Sequence, residues 1–151
     1  MRTMRTTGPV LAVAAWSALC FWAGLTSARE PALKVDVLLS TSKTVIGEPL
    51  RYPTEKPAKV TAAIVTVPTG ATTGWHSHGV PLFAYILEGE LKVDYGPQGE
   101  RVYKKGDALI EAVNLPHDGT NTGSLPAKVL AVFIGAEGLK NTFKTPAPDR
   151  Y

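Results

Sequence analysis

The sequence predicts an all-β fold, a sandwich or a barrel, on three observations. From Lys59 onward, short apolar stretches rich in β-branched and aromatic residues recur about every eight to twelve residues. Glycine and proline clusters separate them. No stretch beyond residue 28 shows the roughly 3.6-residue period of an amphipathic helix. A length of 151 residues, 44% hydrophobic and 19% charged, suits a single domain with one core.

Residues 1–28 read as an export signal peptide. Arg2 and Arg5 begin it, residues 10–25 form an uncharged apolar run, and Thr26-Ser27-Ala28 supplies small residues for cleavage before Arg29. A run of 16 residues falls short of the roughly 20 that span a bilayer. A periplasmic or secreted protein with no stable membrane anchor is therefore expected. Cys20, the one cysteine, lies in this segment, and Leu19 before it is too large for a lipid-attachment box. Residues 29–151 contain no thiol, which excludes disulfide and cysteine chemistry there. The formal charge of +3 comes largely from Arg2 and Arg5: residues 29–151 hold 14 Lys and Arg against 13 Asp and Glu. With no basic stripe, no nucleic-acid partner is expected.

Residues 29–58 form a polar lead-in with Pro31, Pro49, Pro53 and Pro57, in which residues 35–39 have the pattern of an edge strand. The barrel is expected over residues 59–138, with strands at 60–67, 81–87, 90–95, 101–104, 108–113 and 128–134. Turns fall at Pro68-Thr69-Gly70, Glu88-Gly89-Glu90, Gly96-Pro97-Gln98-Gly99, Lys105-Gly106-Asp107 and Thr122-Gly123-Ser124. The tail, 139–151, carries Pro146 and Pro148 and is expected to be extended and to pack on a neighbour.

The chain has three histidines: His76 and His78, two apart, and His117, 39 positions after His78. In a strand, residues two apart point to one face. A third imidazole from another strand would complete a three-nitrogen face able to hold a divalent transition metal with positions left open. Iron, nickel, zinc, manganese and copper are the candidates. Three neutral imidazoles leave the ion its full charge, which favours a small anionic or chelating ligand. Only neutral histidine ligates, so metal loading is expected to weaken below about pH 6.5.

These residues sit in two motifs that resemble those of the cupin family. Gly70, His76, His78 and Gly89 match the first motif, and Gly106, His117 and Asn121 the second. The resemblance implies a double-stranded β-helix, or jelly-roll barrel, with His76, His78 and His117 as metal ligands inside it. Gly89 and Gly106 would then be turn residues, and Asn121 would fix the loop after His117 by hydrogen bonding. Two departures stand out. The family's glutamate falls on Leu82, which cannot ligate, and the second motif's proline and glycine fall on Ala112 and Asn114. Asparagine can take the left-handed conformation expected of that glycine.

Glu111 is the best substitute carboxylate, in the otherwise apolar stretch 108–113, six residues before His117. It is either solvated on the outer face, or inward and partnered as a ligand or beside the ligands. Trp75, Phe83, Tyr85 and Tyr103 are candidates for lining a pocket, and Glu88 and Glu90, flanking a turn, are expected in solvent. The resemblance implies a metal-dependent enzyme, a dioxygenase first, with lyase or isomerase chemistry open and catalytic residues unassigned. The other reading is a non-catalytic binder of a metal or small ligand. Single-domain cupins pair or exchange edge strands, which implies a homodimer through residues 35–39 and the tail.

Overall fold

The computed structural model describes residues 33–149. The expected signal segment 1–28, with Cys20, lies outside the described residues. Residues 35–151 belong to one unit, and the strands below are all within it.

Nine strands are described: β1 (Ala58–Val67), β2 (His76–His78), β3 (Leu82–Glu88), β4 (Glu90–Asp94), β5 (Glu100–Lys104), β6 (Ala108–Ile110), β7 (Asp118–Thr120), β8 (Ala127–Ala136) and β9 (Thr142–Lys144). They form a four-stranded sheet β1-β8-β3-β6, a three-stranded sheet β5-β4-β7 and a two-stranded ribbon β2-β9. Every pairing is antiparallel. The all-β jelly roll expected from the sequence is the fold observed.

Alternation sets the core. Leu82, Ala84 and Ile86 of β3 are buried, while Phe83 and Tyr85 between them are half-buried on the other face. Leu91 and Val93 of β4 and Val129 and Ala131 of β8 point inward with them. The β3–β4 turn needs its glycine twice over: Gly89 has φ 71°, and a Cβ there would stand 2.9 Å from the Pro126 carbonyl oxygen. On either side, Glu88 pairs with Lys128 in solvent as expected, while Glu90 is half-buried, pairing with Lys104 and accepting from the Thr122 hydroxyl.

Four expectations change. Residues 35–39 form no strand and are mostly exposed. Strand β6 stops at Ile110: after one further bond from Glu111 N–H to the Leu82 carbonyl, the amides from Ala112 on are taken by carboxylates. Ala112 N–H donates to Glu111, and Val113 and Asn114 N–H donate to Glu48. The tail pairs within its own chain, β9 lying against β2 with His76 opposite Lys144 and His78 opposite Thr142. Asn114 is also not left-handed: among the described residues only glycines have positive φ.

Candidate metal centre

Backbone pairing brings the three histidines together. His76 and His117 exchange two backbone hydrogen bonds, 3.0 and 2.8 Å long, so these residues of distant segments sit directly opposite each other. His78 follows on the same face of β2, and its N–H is held by the Val113 carbonyl at 3.0 Å. One ligand atom from each of His76, His78 and His117 lies within 4.8 Å of the other two. Among the described residues this is the one such cluster.

Each ring is oriented by a carbonyl. His76 Nδ1 lies 2.7 Å from Gly74 O, His117 Nδ1 2.9 Å from Leu115 O, and His78 Nδ1 3.2 Å from Asn141 O. A carbonyl only accepts, so each Nδ1 carries the hydrogen and each Nε2 presents a lone pair. Those of His78 and His117 are 3.3 Å apart. Two lone pairs at that distance repel unless a cation or proton lies between them. The separation is also close to that of two nitrogens each bound to one ion at about 2.1 Å. The donor set therefore fits a divalent transition metal, with the carbonyls fixing the tautomers as metal-binding histidines require.

Burial lowers all three imidazoles from their ordinary value. His78 is lowered to about 3, first by burial and then by the neighbouring His117 and His76. The loss of metal expected near pH 6.5 moves to lower pH, because a ring that resists protonation keeps its lone pair.

The histidines line a cavity of about 530 Å³ whose walls are otherwise mostly apolar, among them Val67, Ile86, Leu109 and Phe133. Trp75 lines it as expected; Phe83, Tyr85 and Tyr103 do not. Asn121 is 1% exposed. It donates to Val67 O and Leu125 O and accepts from Gly123 N–H, fixing the loop as expected.

Glu111 faces inward, 6% exposed, and lines the same cavity. Its N–H donates to the carbonyl of Leu82, which sets it directly across from the position where the family's glutamate is missing. The carboxylate accepts from the Tyr95 hydroxyl at 2.8 Å and the Ala112 N–H at 2.8 Å, and it lies outside the three-histidine group. Burial holds its carboxyl above the usual carboxylate range, against the pull of those two bonds. Tyr95 is fully buried and meets the Tyr103 hydroxyl at 3.1 Å, so a line of hydroxyls leads outward from Glu111. Burial and the adjacent Glu111 push the Tyr95 phenol up.

Sequence reasoning missed four participants. Tyr95 stands at the end of an expected strand, where nothing in the sequence singles it out. Glu48 sits in Gly47-Glu48-Pro49, which reads only as a turn. Asn141 and Lys144 belong to β9, three residues long and too short to show a period.

A model of the Cupin domain matches residues 63–133. No curated protein matches the chain. Among solved structures, the DMSP lyase DddQ from Ruegeria pomeroyi DSS-3 is 22% identical over 60% of this chain and 45% of its own, with a TM-score of 0.51. An oxalate decarboxylase from Lactobacillus farciminis, in a formate complex, is 23% identical over 56% of this chain and 26% of its own, TM-score 0.48. A predicted oxalate decarboxylase from Thermotoga maritima is 31% identical over 48% of this chain and 64% of its own, TM-score 0.44. The chain thus spans under half of DddQ and about a quarter of the Lactobacillus enzyme. The likeness to DddQ shows a shared fold, and the two decarboxylases are too distant in shape to carry an argument. The match over residues 63–133, on the fold that brings its three histidines together, identifies that stretch as a cupin domain.

Proposed function

We propose that this protein is an exported, metal-dependent enzyme acting on a small anionic or chelating substrate, with dioxygenation the first reaction to test. One observation carries the reading: three Nε2 lone pairs converge in a cavity that is otherwise mostly apolar. His76, His78 and His117 would hold the ion. A bound divalent ion would act as a Lewis acid toward a substrate oxygen or, if redox-active, bring substrate and dioxygen together. The apolar walls exclude water and strengthen the attraction between substrate charge and the site. The Gly74, Leu115 and Asn141 carbonyls keep the imidazoles in one tautomer through turnover.

Glu111 favours a second reading. A buried carboxyl with a raised pKa can hold a proton at Oε2 while Oε1 stays hydrogen-bonded to Tyr95. That arrangement suits lyase or isomerase chemistry, in which a proton leaves or joins a substrate carbon. Glu111 then works beside the ion as the group that holds the proton. A homodimer is part of the proposal, supported by the exposed edge strand β1 and the exposed residues 35–38.

The test begins with elemental analysis of untagged protein beside a His76→Ala/His78→Ala variant. About one equivalent of transition metal in the parent, lost from the variant, is expected. No metal in either, after reloading with iron, nickel and zinc, would retire the enzyme reading. Iron-loaded protein is then screened against catechols, diketones and thiols. Oxygen uptake supports dioxygenation, turnover without oxygen supports the Glu111 reading, and silence leaves a binding protein.

A further inference from the structure

We infer that Lys144 is the residue that selects the substrate, and that the substrate is a carboxylate with an apolar body. The inference rests on the metal-centre reading above and adds a second, protein-borne contact to it.

The placement follows from the backbone. His76 gives both its N–H and its carbonyl to His117. On its other side it faces Lys144, and this pair is necessarily the non-hydrogen-bonded kind. In such a pair the Cα atoms approach to about 4.5 Å and the side chains lie closest. Directly opposed residues project to one face, so the lysine stem starts beside the His76 ring and points the same way. Lys144 accordingly lines the cavity with the histidines.

Its charge is unspent. Among the described residues no carboxylate pairs with it, whereas Lys92, Lys104 and Lys128 pair with Glu100, Glu90 and Glu88. The carboxylates around the histidines are already engaged. Glu111 accepts from Tyr95, Asp118 from the hydroxyls of Thr72 and Thr73, and Glu48 from the N–H groups of Val113 and Asn114. Lys144 is exposed at the edge of the apolar cavity, one rung from the cluster, where its ammonium meets an entering anion with water as the alternative partner. A carboxylate satisfies both groups at once, one oxygen toward the three-histidine face and the other accepting from Nζ. The walls beyond, such as Leu91, Val129 and Phe133, would cover an apolar body and leave a second charged group without a partner.

The experiment is calorimetric titration of the zinc-loaded full chain with hexanoate and with hexanamide, its neutral isostere. The series comprises wild type, Lys144→Met and Lys144→Arg, with zinc content measured on each sample. Hexanoate should bind wild type and hexanamide should not. Lys144→Met should weaken hexanoate about tenfold or more, and Lys144→Arg should restore binding to within about threefold. Equal binding of hexanoate by wild type and a zinc-retaining Lys144→Met would overturn the inference, as would no hexanoate binding by zinc-loaded wild type. Failure of wild type to hold zinc at all would overturn the metal-centre reading and this inference with it.

Discussion

At the scale of single residues, the site is a set of buried bases. All three imidazoles resist protonation because burial penalises the charged ring. In the unfolded chain they take up protons as pH falls past about 6.5. The unfolded state then binds more protons than the folded one, and stability falls with falling pH. For His78 the window runs from about 6.5 down to about 3. That residue alone should cost about 2 kcal/mol by pH 5. Glu111 acts in the opposite sense, since a raised carboxyl pKa favours the folded state as pH drops. The metal-free protein should therefore show a Tm that falls from pH 7 to pH 4, more shallowly in a His78→Gln variant. Equal slopes in the two proteins would contradict the account.

At the scale of elements, the ribbon β2-β9 depends on a close approach. A Cβ on Gly79 would stand 2.6 Å from the Lys140 carbonyl oxygen and 2.7 Å from the Phe143 ring. Gly79→Ala should push β9 away and take the Asn141 carbonyl from His78. Loss of such an orienting contact should lower zinc affinity about tenfold to a hundredfold, with the far-ultraviolet circular dichroism unchanged. Unchanged zinc affinity would mean that His78 is positioned without the tail. This element also marks where the sequence was legible and where it was not. The long strands β1, β3, β4 and β8 announce themselves through alternation, and the histidine spacing announces the cluster. The short strands β2, β7 and β9 carry no period, because three residues cannot express one. Their places are set by pairing with distant segments. The inward turn of Glu111 was undecidable for a related reason. It depends on Tyr95 and on register with Leu82, which lies 29 positions earlier.

At the scale of the whole molecule, β1 is the conspicuous surface. It is a ten-residue strand at the edge of the four-stranded sheet, with Val60 and Ile64 each 63% exposed. Long apolar edges pair with other chains unless covered. The proposed homodimer would use this edge, and the tail is no longer free for it. Sedimentation should show a dimer at micromolar concentration and a monomer for Val60→Asp/Ile64→Asp. A wild-type monomer would end the proposal.

The docking of the tail on β2 also bears on how the protein is made. A growing chain contains all three histidines by residue 117, yet the carbonyl that orients His78 belongs to residue 141. During those intervening additions the ligands exist but the third ring is unguided. On the proposed metal-centre reading, tight ion capture waits until residue 141 has been added, so the ion is chosen where the chain completes its folding.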